Sequence, residues 1–189
     1  MIDPLQPGIM TMSNHRYQPN DPLLIIAKAI IWLILGVLAF AGIIVLICIP
    51  GVFIFGAEFV DAAEIAPLTV DIRALIALLL AGVAALLYLA WRFFQSMLAI
   101  VRSVGEGDPF IPANADRLTA MGWIMLAINI AAIPLAILGT YIASIAGEDA
   151  ISVDAGVDFG GIVLVLTLFI LARVFRHGTA MRADLEGTV

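Results

Sequence analysis

Four long apolar runs, each free of charge, govern what this chain can fold into. Between Lys28 and Glu58 lie 29 uncharged residues, between Arg73 and Arg92 lie 18, between Arg117 and Glu148 lie 30, and between Asp158 and Arg173 lie 14. A helix rises about 1.5 Å per residue and the hydrocarbon core of a bilayer is about 30 Å thick, so roughly 20 apolar residues make a span. Two runs are ample and one is just sufficient. The last crosses if its helix begins near Val157 and carries Arg173 and Arg176 at its inner end, aliphatic stems in the tails and guanidinium groups among headgroups. A re-entrant or surface helix is the alternative, but Gly160 to Ala172 is apolar on every side, unlike a surface helix. With 63% hydrophobic residues, 13% charged residues and a mean hydropathy of +1.12, the chain carries more apolar surface than a soluble domain of 189 residues can bury. The expected fold class is all-α, an integral membrane four-helix bundle.

The basic residues give an orientation. Arg16 and Lys28 precede the first span, Arg92, Arg102 and Arg117 lie between the second and third, and Arg173, Arg176 and Arg182 follow the fourth, leaving only Arg73 on the other side. By the positive-inside rule both termini are cytoplasmic and the other two connections external. Those connections hold the carboxylates Glu58, Asp61, Glu64, Asp71, Glu148, Asp149, Asp154 and Asp158, so the acidic pI belongs mainly to the outer face. Trp32, Trp91 and Trp123 each fall near the cytoplasmic end of a span, where an indole prefers to sit. The first run is too long for a cleavable signal peptide and about 22 mostly polar residues precede it, so it reads as an uncleaved anchor, with Met10 and Met12 as alternative starts. The localisation expected is a bacterial inner membrane.

Residues 1–22, with Pro4, Pro7, Pro19 and Pro22, read as a disordered cytoplasmic arm, followed by a four-span domain over 23–189. Its helices are expected at about 23–49, ending at Pro50-Gly51; 72–104; 114–144; and 157–177. Gly105-Glu-Gly-Asp-Pro-Phe110 is a glycine-rich helix stop and turn. Asn114 is placed as the N-cap of the third helix, with Asp116 in its first turn; Pro134 predicts a kink, and Gly178 a C-terminal cap. A faint echo links Thr69-Val-Asp71 with Ser152-Val-Asp154, and Leu89-Ala-Trp-Arg-Phe93 with Leu171-Ala-Arg-Val-Phe175, as chance allows in so biased a composition. Small residues four apart mark faces of close approach: Ala77, Ala81 and Ala85; Ala132, Ala136 and Thr140; Gly156 and Gly160. They serve a tight bundle, or a homo-oligomer if one stripe is left over.

Little here announces chemistry. Asn129 is the only amide within a span, and Thr167 lies at a compatible depth on the antiparallel fourth helix. An interhelical hydrogen bond between them, worth roughly 0.6 kcal/mol in a membrane, is the structural reading, and a polar lining for an ion or solute path is the functional one. No span holds an Asp, Glu, Lys or His at its centre, which counts against a proton-coupled transporter. His15 and His177 have no ligand partners at zinc spacing, the outer carboxylates lack calcium-loop spacing, and Cys48 is a packing residue. No Walker loop, Gly-x-Ser-x-Gly or His-Glu-x-x-His occurs, so no catalytic residues, metal or cofactor are assigned, and the chain reads as a non-enzyme. The inner face offers more. Arg92 beside Trp91 and Phe93, and Arg173 and Arg176 beside Phe175, sit where anionic headgroups lie. Anchoring at the lipid surface is the default reading of these groups; the sharper one is that the loop from Gly105 to Leu118 and the C-terminal tail make a small docking surface for a cytoplasmic partner.

At that loop the sequence resembles a known family. Gly107-Asp-Pro-Phe-Ile-Pro-Ala-Asn-Ala-Asp-Arg-Leu-Thr-Ala-Met-Gly-Trp123, then Leu171-Ala-Arg-Val-Phe-Arg-His-Gly178 and Asp184-Leu-Glu-Gly-Thr-Val189, resemble the domain of unknown function 2975, a family of small bacterial membrane proteins. The motifs are Gly-x-Pro-Phe, Asn-Ala-x-Arg-Leu and Phe-Arg-x-Gly, and the resemblance runs from about Asp21 onward. It implies a four-span inner-membrane protein, often encoded near a small helix-turn-helix regulator, and brings no activity to transfer. Here Asp116 stands where members often have a second basic residue, which makes the loop less basic.

The leading reading is a non-enzymatic membrane module that contacts the lipid bilayer and a cytoplasmic protein, such as a helix-turn-helix regulator, without binding nucleic acid itself. Its contact residues are Asp108, Pro109, Phe110, Asn114, Arg117, Arg173, Phe175 and Arg176. A small transporter or channel subunit, suggested by Asn129, Pro134 and the acidic outer connections, is the second reading.

Overall fold

The computed structural model describes residues 22–55, 70–145 and 159–186. They form four helices, α1 (Pro22–Ile54), α2 (Val70–Gly105), α3 (Pro112–Ile145) and α4 (Phe159–Glu186). The shortest has 28 residues, about 42 Å at the α-helical rise, so each exceeds the roughly 30 Å of hydrocarbon. All four are long and apolar enough to cross, which makes this a multi-pass membrane protein with an all-α fold. The N-terminal arm, most of the acidic connections, Gly156 and the Ser152-Val-Asp154 half of the internal echo lie outside the described residues.

Two helix ends differ from expectation. α1 does not stop at Ile49 but continues through Pro50 to Ile54. One lost backbone hydrogen bond costs less than ending a helix where neither water nor another strand can satisfy the freed groups. α4 likewise passes through Gly178 to Glu186, so Gly178 is not a cap. α3 runs on through Pro134.

The extensive interfaces join neighbours in sequence: α1 with α2, α2 with α3, and α3 with α4. Helices α1 and α4 share no comparable interface, so the bundle is open on that side. Two apolar clusters lie on either side of α2. Ile31 and Leu35 of α1 pack with Leu98, Trp91, Phe94 and Val101, while Leu118, Met121, Leu168 and Ala172 pack with Phe93, Ile100, Met125 and Phe175. Adjacent Phe93 and Phe94 thus serve opposite clusters, their rings edge to face at 5.5 Å. Both clusters sit toward the end that carries the α2–α3 connection.

The small-residue stripes are only partly packed: Ala77, Ala136 and Thr140 are half-buried, and the closest approaches use other residues. Ala81, Ala85, Ala132 and Gly160 are exposed. The tight contacts are instead Gly82, where a Cβ would come within 2.2 Å of the Leu135 side chain, and Gly122, where it would meet the Phe169 ring at 3.1 Å. Spacing four apart finds a face of small residues, but a single glycine opposite one large side chain is enough for contact.

Candidate functional site

The α2–α3 connection begins with a helix stop that can be followed bond by bond. Gly107 has φ of +87°, the left-handed conformation glycine adopts without penalty. The Gly107 amide donates to the Val104 carbonyl at 3.1 Å and the Asp108 amide to the Ser103 carbonyl at 3.2 Å. This paired pattern is a Schellman ending. The ammonium of Lys28 sits 3.2 Å from where a Gly105 Cβ would lie, a cation beside the negative end of the α2 dipole.

The helix after the turn starts at Pro112, a residue suited to the first helical position because its missing N–H is not needed there. Asn114 is therefore inside α3, and its expected role as N-cap is corrected. The side chain, 0% exposed, ties three segments together. Its Nδ2 donates to Ser103 Oγ at 2.7 Å and to the Pro109 carbonyl at 2.8 Å, and its Oδ1 accepts from Arg117 at 2.8 Å. Ser103, itself buried, passes its own proton to the Ile100 carbonyl. Arg117 also reaches the Ala99 carbonyl at 3.5 Å. Every hydrogen-bonding position of the amide except one lone pair is engaged, which is what a buried amide requires.

A second set of contacts joins this loop to α4. The Phe110 ring lies 5.2 Å from that of Phe175 and rests on Gly178, where a Cβ would come within 3.0 Å of it. Gly178 is glycine because an aromatic ring occupies the space of a side chain. Arg182 pairs with Asp108, and Arg176 with Asp116 at 3.3 Å. Asp116 falls beyond the first turn of α3, contrary to expectation, and its role is this pairing. Both pairs are solvent-exposed and worth less than about 1 kcal/mol each, so they orient more than they stabilise.

Of the sequence-derived contact residues, Asp108, Pro109, Phe110, Asn114, Arg117, Phe175 and Arg176 come together in this one knot, while Arg173 stands exposed beside it. Asn129 and Thr167 do not meet through a hydrogen bond. Asn129 donates to the Met125 carbonyl at 2.9 Å and Thr167 to the Val163 carbonyl at 2.8 Å, each one turn back along its own helix. In lipid the nearest free lone pair is on the residue's own backbone, and reaching it orders no second helix. Ser103, Gly122, Gly178 and Arg182 were not recognisable as partners. Only the opposite charges of Asp108 and Arg182, on segments at one end of the bundle, carried a signal.

The family model described as a protein of unknown function, DUF2975, matches residues 57–189. The chain belongs to this family. The match leaves α1 outside it, a later start than the resemblance near Asp21 suggested. Among curated proteins and among solved structures, nothing matches the chain. The motifs of the DUF2975 resemblance meet in space: Phe110 of Gly-x-Pro-Phe packs on Phe175 and Gly178 of Phe-Arg-x-Gly. In Asn-Ala-x-Arg-Leu, Asn114 and Arg117 make the hydrogen bonds, and Ala115 and Leu118 are buried beneath them. The motifs thus meet in a tertiary joint of this chain.

Proposed function

We propose that this DUF2975 protein is a non-enzymatic module of a bacterial cytoplasmic membrane, with both termini inside, that holds a rigid platform for a cytoplasmic protein such as a helix-turn-helix regulator. The observation that carries the reading is the preorganisation of the 105–118 loop. A Schellman ending, a fully buried amide, a ring stack and two ion pairs fix a connection of only six residues between helices. Helix pairs need no such apparatus merely to turn round. A prepaid conformation lowers the entropy cost of binding, and Phe110, 44% exposed, with the exposed Arg173 beside it, offers the aromatic and cationic groups that partners use. The placement of eight of nine basic residues supports the orientation.

The test is site-specific photo-crosslinking in cells, with the probe at position 106 or 110 and, as a control, at the lipid-facing Leu33 or Leu78. A discrete adduct with a soluble protein at 106 or 110 alone is the expected result. Identical adducts at all four positions, or none at the loop, would remove the reading. Tags on the two termini that report from outside the membrane would remove its orientation.

A further inference from the structure

We infer that the groove between Phe110 and the outer face of α4 is a binding site for one anionic phospholipid. The groove, of about 760 Å³, lies within the roughly 300–1,000 Å³ of small-molecule sites, and its walls are Phe110, Ile170, Val174 and Met181. Gly178, Arg173 and His177 line it as well. No carboxylate lines it.

Depth and charge identify the occupant. Arg173 and His177 follow the apolar run of α4 and flank the Phe110–Phe175 contact at the joint, which sets them at the end of the span, where headgroups meet water. Anionic headgroups are the counter-charge a cation meets there. Arg176 has Asp116 and Arg182 has Asp108, whereas Arg173 has no hydrogen-bond or ion-pair partner among the described residues. Asp116 and Asp108 are thus engaged, and Arg173, the arginine that lines the groove, is without a carboxylate among the described residues. Ile170 and Val174, one turn apart, supply an apolar wall on which an acyl chain can lie, with the guanidinium at the phosphate. A basic recess at a helix end that continues into an apolar groove fits a phospholipid, which brings both the anion and the tail, better than a protein surface or a free anion. This inference needs only that the chain spans a membrane, and stands whether or not a cytoplasmic partner binds.

Native mass spectrometry of the detergent-solubilised full-length chain tests it, with phosphatidylglycerol, phosphatidylcholine and inorganic phosphate as the probes. Phosphatidylglycerol is expected to bind more tightly than phosphatidylcholine, and Arg173→Gln to weaken it about fivefold, the effect of one basic residue at an anionic surface. Arg102→Gln, an exposed arginine elsewhere at this end, is expected to leave binding unchanged, and Val174→Trp, which fills the groove without altering charge, to weaken it. An equal loss with Arg102→Gln would overturn the site in favour of diffuse attraction. Displacement of the lipid by inorganic phosphate, or full binding by Val174→Trp, would overturn the role of the groove. No preference for phosphatidylglycerol would overturn the inference outright.

Discussion

Asn114 allows the geometry of the joint to be tested against the simplest sequence reading of the same residue. The amide makes two neutral hydrogen bonds, to Ser103 and Pro109, and one charge-assisted bond with Arg117. A neutral bond contributes about 1 kcal/mol net and a bond to a charged group about 1.5–3 kcal/mol. Arg117 is only half-buried and keeps a second carbonyl in reach, so the low end applies, and Asn114→Ala should cost about 3.5 kcal/mol. Asp and Ser decide the matter. At an N-cap they perform as well as Asn. Inside the joint, Asp retains the acceptor for Arg117 but loses both donated bonds, about 2 kcal/mol, and adds the repulsion of a carboxylate against the Pro109 carbonyl, so it should cost more than that; Ser is too short for any of the three. Reversible unfolding in mixed micelles with rising denaturing detergent, followed by far-ultraviolet circular dichroism, measures these differences. Asp and Ser variants within about 0.5 kcal/mol of the parent would refute the reasoning. A double-mutant cycle of Asn114→Ala with Ser103→Ala should return a coupling of about 1 kcal/mol, since the two share one bond.

Three further substitutions follow from the same contacts. Gly178→Ala should be nearly neutral in the parent, where the gain of about 1 kcal/mol in helix propensity meets the displaced Phe110 ring, but stabilising by about 1 kcal/mol in a Phe110→Ala background; equal effects in both would deny the ring contact. Gly82→Val should cost about 2 kcal/mol by overpacking against Leu135, and Leu135→Ala in the same chain should recover part of it; the absence of rescue in unfolding experiments would show that α2 and α3 do not approach there. Asn129→Leu should change stability by less than about 0.6 kcal/mol, because its amide bonds its own helix, and a loss above about 1 kcal/mol would reveal an interhelical partner.

The number of spans, their order and the helix stop at Gly105-Glu-Gly were legible because each rests on a local property: an apolar run long enough for the bilayer, or a glycine where φ must be positive. Helix ends at Pro50 and Gly178 were not, because the rules that end helices come from water. In hydrocarbon a helix keeps its own bonds past a proline, and a glycine inside a helix can mark a ring on its surface rather than a cap. Asn114 was seen as functional in type and misplaced in role. An N-cap is a relation among neighbours in sequence, whereas its real partners, Ser103 and Pro109, lie across a turn whose shape the sequence did not specify. The Asn129 and Thr167 pairing failed for the opposite reason: equal depth is necessary for a bond between helices, yet each side chain had a nearer acceptor.

The distribution of burial explains why the joint sits at this end. Between helices in lipid, apolar burial supplies little drive, since a tail is as apolar as leucine. What remains in the spans is close contact, as at Gly82 and Gly122. Where α2 and α3 outrun the hydrocarbon, water returns and burial regains its value. The most deeply buried side chains of α3, Asn114, Ala115, Leu118 and Met121, all fall in its first ten residues. An open array, with no extensive α1–α4 interface to close it, depends more on such a joint than a closed bundle would. The joint connects α2, α3 and α4, while α1, outside the DUF2975 match, is held to α2 by Ile31, Leu35 and the Lys28 contact at Gly105. Phe110, Asn114, Arg117, Phe175 and Gly178, which belong to the motifs of the resemblance, therefore help lock three helices together, and the surface left over there, Phe110 and an Arg173 without an ion pair among the described residues, is where binding has to be sought.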